Sequence, residues 1–190
     1  MLSLVLGLTA FALYFIYDIN SITRQYRPLH YFFAIGSLLL AAATVLDIVA
    51  ALKNGAIAGL MDYVLLTGAV LCFGALIYCL FFALPFQETY ADDSKLRPVY
   101  SGGVYGRCRH PGILCFFGME LLLGLAALPT GMLVRGMIFS ALNLTYAYFQ
   151  DKVSFPETFC DYRDYQQKVP FLIPRIGKAL LQAEKEEVEV

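Results

Sequence analysis

Charge is scarce in this chain. Asp, Glu, Lys and Arg make up 15% of its 190 residues, where a soluble globular domain carries roughly 25%. Basic residues are in no excess, since 14 Lys and Arg face 15 Asp and Glu. Net charge therefore names no partner, and it is the scarcity of charge beside an apolar excess that excludes disorder and a nucleic-acid-binding domain. Tryptophan is absent and there are two histidines. The five cysteines, at 72, 79, 108, 115 and 160, are odd in number and form no C-x-x-C pair. A zinc site would have to gather ligands from distant segments, and a disulfide-stapled secreted module is excluded. No metal site is expected, and the cysteines read as small apolar packing residues. What fills the chain instead is hydrophobic side chain, 59% of all residues, with a mean hydropathy of +0.64. The class is an integral membrane protein, an all-α polytopic helical bundle.

Five apolar runs stand out, at roughly 2–17, 29–52, 60–86, 112–128 and 131–149. A spanning helix needs about 20 residues at 1.5 Å per residue. The first run is read as a span and not a signal peptide: no Lys or Arg precedes it, although Thr9–Ala12 offers a small-residue cleavage pattern. Twelve of the 14 basic residues fall on alternate connections: 18–28, 87–111 and everything after 149. Lys53 lies on the opposite side and Arg135 inside the fifth run. The positive-inside rule then predicts the N-terminus outside and the C-terminus in the cytoplasm. Runs four and five are joined by Pro129, Thr130 and Gly131, a break that predicts a helical hairpin. The chain thus divides into N-terminal helices and their connection (1–99), a region holding the hairpin (100–175) and an acidic tail (176–190).

Two stretches carry chemistry. Residues 101–112 bring together Gly102, Gly103 and Gly106, which let backbone approach a ligand, and Arg107, Arg109 and His110, just before Pro111 and Gly112 open the fourth helix. The pattern predicts an anion-binding helix start at the membrane boundary, or else a basic anchor for lipid headgroups. In residues 151–174, Tyr162 and Tyr165 are three apart and share a helix face, with Asp161 and Asp164 as an acidic edge. The stretch closes on the proline-bounded apolar segment 169–174, which can cap a cavity but cannot continue a helix. Alone, it also reads as an interfacial amphipathic helix.

Together the two stretches resemble a known family. The run from Gly103 through Tyr105 to Arg109, His110 and Pro111 is similar to the G-x-Y-x-x-x-R-H-P signature of the isoprenylcysteine carboxyl methyltransferases and phospholipid methyltransferases. Tyr162, Tyr165, Val169, Pro170 and Pro174 resemble that family's Y-x-x-Y-x-x-x-V-P-x-x-x-P ending. The resemblance covers residues 100–175. It implies a five-helix membrane methyltransferase with a C-terminal hairpin and a cytoplasmic tail, using S-adenosylmethionine on a lipid-like or prenylated acceptor at the membrane–cytoplasm interface. It places the cofactor among Gly103, Tyr105, Arg109, His110, Pro111, Gly112, Tyr146, Asp151, Tyr162 and Tyr165, with Asp151 and Arg109 as catalytic candidates. Electron-rich rings such as Tyr105, Tyr146 and Tyr148 suit a sulfonium.

Two departures from the pattern stand out. Ile113 stands where the family has Tyr, and Asp151-Lys152 stands where it has Glu-Glu, eight residues before Phe159. Two other readings fit the same features. One is an NADPH-dependent membrane reductase of the steroid and sterol reductase kind, with a phosphate at the cationic helix start. The other is a non-catalytic lipid-binding relative. Within the spans, Asp47, Glu120, Arg135 and Asn143 must find partners, because a charge at the bilayer centre costs on the order of 2.5–3.5 kcal/mol. Folding the hairpin about residue 130 brings Glu120 level with Ser140, which predicts a hydrogen-bonded clamp.

Overall fold

The computed structural model of the chain describes residues 1–83 and 97–174. The acidic tail 176–190, Lys95 and the end of the third apolar run lie outside the described residues. Among the described residues, five helices of 16 residues or more form the body: α1 (Leu2–Ile22), α2 (Phe32–Lys53), α3 (Leu60–Ile77), α4 (Pro111–Ala126) and α5 (Met132–Phe149). Two short helices, α6 (Phe155–Thr158) and α7 (Tyr162–Lys168), follow. Three segments, Leu2–Ile22, Arg27–Lys53 and Leu60–Phe82, are long and apolar enough to cross a membrane. Helix α4 is apolar but only 16 residues long.

The packing follows from which positions are small or apolar. On α1, Ser3, Gly7, Ala10, Phe11, Tyr14 and Asp18 are buried, spaced three and four apart, so they form one stripe. That stripe packs along α2 and also meets α5. Helix α4 packs between α5 and α3. Away from these seams the large side chains are open: Leu38, Val70, Leu71 and Val134 are all exposed. Bare aliphatic faces of this kind suit a lipid solvent and would be a liability in water.

The hairpin of α4 and α5 is as tight as the Pro-Thr-Gly break predicts. A single 3-10 turn, Leu128–Thr130, links the helices, and Gly131 takes a left-handed φ of 73°. Gly124 lets the two backbones meet: a Cβ there would stand 2.5 Å from the Leu133 Cα.

The polar residues of the spans find partners only in part. Arg135 on α5 reaches Asp47 on α2, Nε to Oδ2 at 2.8 Å. The clamp expected at Glu120 does not form. Glu120 Oε1 and Ser140 Oγ are both buried without a hydrogen-bond partner, and Glu120 packs against Gly136 instead. The hairpin helices are in register one turn away from the simple fold-back count. Asp47→Ala should strand the Arg135 guanidinium and cost about 3 kcal/mol, the low end for a broken buried pair because Arg135 is 21% exposed. Thermal unfolding of the detergent-solubilised protein checks this, and an unchanged midpoint refutes it.

Candidate functional site

The two motif stretches meet at one end of the bundle. The approach to α4 runs through a 3-10 turn at Gly103–Gly106, opened by Gly103 at φ 56°. From Phe149 the fifth helix continues into a π-helical turn, Gln150–Ser154, which leads into α6 and α7. A π turn carries an extra residue per turn and so re-aims the side chains it contains. Asp151 sits in this turn and is 1% exposed.

Arg109 and Asp151 form the centre. Arg109 Nη2 donates to Asp151 Oδ2 at 3.2 Å, and Nε stands 2.9 Å from Oδ1 but off the line of a hydrogen bond. The Tyr162 hydroxyl donates to Oδ1 at 2.9 Å, and the Gln166 amide donates to Oδ2 at 3.1 Å and to the Asp151 carbonyl at 2.6 Å. His110 Nε2 lies 3.5 Å from Oδ1. Lys152 Nζ approaches Oδ2 only to 3.8 Å and is mostly exposed. Burial pushes the Asp151 carboxyl up, but the His110 and Tyr162 contacts and the Arg109 charge outweigh it, so the group sits below the usual carboxylate range. Burial, then the Asp151 charge, pushes the Tyr162 phenol up, and burial does the same for Tyr165.

Arg109 also holds the tail. Its Nη1 donates to the carbonyls of Gln166 (2.7 Å) and Val169 (2.9 Å). The backbone adds two more ties, from the Arg109 and His110 amides to the carbonyls of Pro170 and Phe171. The Cys108 thiol donates to the Leu172 carbonyl at 3.1 Å, and burial pushes that thiol up. His110 stacks on Phe155, centroids 5.9 Å apart, and packs against Phe171. Tyr165 donates to the Tyr105 carbonyl at 2.6 Å, and Tyr105 donates to the Cys79 carbonyl at 2.9 Å below α3. A further tie joins the Val99 amide to Asp161 Oδ1 at 2.7 Å.

These contacts revise the open anion site expected at the start of α4. Pro111 has no N–H, the Ile113 amide closes back on the His110 carbonyl, and the Arg109 and His110 amides are taken by the tail. The Arg109 and His110 amides and the Arg109 guanidinium thus meet the chain's own carbonyls and the Asp151 carboxylate, where an external anion was expected. Arg109 likewise has its donors turned toward partners within the chain.

The structure gathers Tyr105, Arg109, His110, Asp151, Tyr162 and Tyr165 into this one network. Gly103 and Pro111 shape its backbone, while Gly112 packs toward Leu76 of α3. Tyr146 belongs to a different cluster: its ring stacks on Tyr14 at 5.4 Å and meets Phe15 edge-on at 5.3 Å, both on α1. Tyr148 is exposed, with Lys152 Nζ 5.9 Å from its ring. Ile113, at the position of the family's Tyr, is buried.

Sequence reasoning passed over Gln166 and Asp18. Gln166 lies four residues after Tyr162 and so shares its face, which is the signal that would have found it. Asp18 ends the first apolar run and is 5% exposed. No family model, curated protein or solved structure matches the chain.

Proposed function

We propose that the protein is a membrane methyltransferase using S-adenosylmethionine on an amphiphilic acceptor, with five spans, the N-terminus outside and residues 97–110 and 150–174 on the cytoplasmic face. The observation that carries the reading is the convergence of the Arg-His-Pro turn, the end of α5 and the Tyr-x-x-Tyr tail. Asp151, Gln166 and Val169 lie 42, 57 and 60 residues from Arg109 in sequence, yet Arg109 bonds to all three at once. A unit of that kind can hold a cofactor beside the bilayer while the acceptor arrives from lipid, and positioning would be its main contribution.

In this reading Asp151 positions Arg109 and the tail and does not take a proton. Both of its oxygens already accept hydrogen bonds, and a carboxylate held below its usual range is a poor base. The same saturation favours a second reading, a non-catalytic lipid-binding relative that keeps the unit as a scaffold. Thermal unfolding of the purified protein separates the readings. Stabilisation by S-adenosylmethionine supports the first, by NADPH a reductase, and by neither the scaffold.

The topology has its own test. Single cysteines at 55 and 163, in a background lacking native cysteines, are expected to label from opposite faces of the membrane. Labelling from the same face would rule out the five-span arrangement.

A further inference from the structure

We propose that Asp18, with Tyr146, forms a binding site for a protonated amine between α1 and α5. Asp18 is 5% exposed, and its Oδ2 is buried without a hydrogen-bond partner. Tyr146 is 6% exposed, and its hydroxyl is likewise buried and unpartnered. The Tyr146 hydroxyl on α5 and the Gln150 amide in the π turn approach the Asp18 carboxyl, yet neither Oδ2 nor the phenol oxygen completes a bond. Two unsatisfied polar atoms side by side in an apolar seam are costly unless something else supplies the missing contacts.

The missing partner must donate hydrogen bonds and should carry positive charge. A buried carboxylate is tolerated when a cation pairs with it. Among the described residues the buried guanidinium groups lie elsewhere: Arg109 pairs with Asp151, Arg135 with Asp47, and Arg97 stacks over Phe159. The surroundings suit a cation further. Tyr14 and Phe15, one turn before Asp18 on α1, pack with Tyr146 as an aromatic group, with Phe15 also against Phe149. Electron-rich rings favour an ammonium in a place from which water is excluded. A primary ammonium has three N–H donors, enough for the carboxylate oxygen and the phenol oxygen together.

The location ties the site to the rest of the molecule. Gln150, which acts on Asp18, directly precedes Asp151, and α1 packs against the π turn that contains both. The amine site and the Arg109–Asp151 network therefore occupy the same end of the bundle. Two molecules could supply the amine: the amino-acid end of the cofactor, or the headgroup of an amphiphilic acceptor. Assigning it to either rests on the methyl-transfer reading; the site itself does not.

The test uses full-length protein in detergent and three probes: hexylamine, hexanol and S-adenosylmethionine. Hexylamine is expected to stabilise the wild type where hexanol does not, and Asp18→Asn is expected to weaken hexylamine binding at least tenfold. If Asp18→Asn also weakens S-adenosylmethionine tenfold, the amine is the cofactor's; if cofactor affinity holds, it is the acceptor's. Should Asp18→Asn fail to fold, Asp18→Glu is expected to keep the hexylamine response and Tyr146→Phe to lose several-fold. Equal effects of hexylamine and hexanol on the wild type, with no loss of cofactor affinity in the Asp18 and Tyr146 variants, overturn the proposal. A wild type that binds hexylamine through Asp18 but never binds S-adenosylmethionine sinks the methyltransferase reading and leaves the amine site standing.

Discussion

Asp151→Ala is expected to cost about 3–5 kcal/mol of stability, the range for stranding one partner of a buried ion pair. The carboxylate is 1% exposed and is the common acceptor for Arg109, Tyr162 and Gln166. Its removal leaves the guanidinium and the phenol without that acceptor in a place water does not reach, while Gln166 keeps its bond to the main-chain carbonyl of residue 151. Asp151→Asn should cost less, because the amide oxygen still accepts from Tyr162, but its NH₂ group faces donors from Arg109 and Gln166. Thermal unfolding in detergent measures both. A wild-type midpoint in Asp151→Ala would show that the network does not hold the tail.

The same carboxylate predicts a pH dependence. Its folded-state pKa lies below the ordinary value of 3.8, so folding is favoured wherever the group is ionised. That stabilisation is fully present above pH 3.8 and is lost as pH falls through the lowered folded value. Acid unfolding of the wild type should therefore contain a component below pH 3.8 that Asp151→Asn lacks. Identical acid profiles for the two proteins would contradict the assignment.

Much of this arrangement was legible in the sequence, and the rest was hidden for identifiable reasons. Helix lengths and the hairpin follow from apolar runs broken by glycine and proline, and the shared face of Tyr162 and Tyr165 follows from their spacing of three. Both tyrosines are buried on that face, as the period requires. The partners of Arg109 were not legible. A sequence gives a cation before a helix start and suggests an external anion, but it does not reveal that carbonyls from 57 and 60 residues away will arrive first. The π turn at Gln150–Ser154 was also invisible, because no residue in it breaks an α-helical pattern. Extended as a regular helix, α5 gives no reason for Gln150 to act on Asp18 while Asp151 turns to Arg109. Asp18 was missed because an acid at the end of an apolar run reads as the first residue of a loop, whereas α1 continues to Ile22.

Arg109 gives the sharpest test of how the unit is held. Arg109→Ala removes both bonds to the tail carbonyls and leaves Asp151 buried beside Tyr162 and Gln166, so a loss of about 3–5 kcal/mol is expected. Arg109→Lys should recover only part of it, since an ammonium cannot present the planar fork that reaches Gln166, Val169 and Asp151 together. The double variant Arg109→Ala, Asp151→Ala removes both charges and leaves neither stranded. Its loss should fall short of the sum of the single losses by about 2–3 kcal/mol, the upper part of the range for directly coupled residues. Hydrogen exchange at the Arg109 and His110 amides gives a local readout, because those amides bond to Pro170 and Phe171 and should exchange faster once the tail is released. Additive losses with unchanged exchange would mean that Arg109 does not secure the tail. The comparison also bears on ligand binding. With its donors turned inward, Arg109 should influence S-adenosylmethionine affinity only through the tail, so Arg109→Ala and Asp151→Ala should weaken it alike. A loss confined to Arg109→Ala would instead place the guanidinium against the cofactor itself.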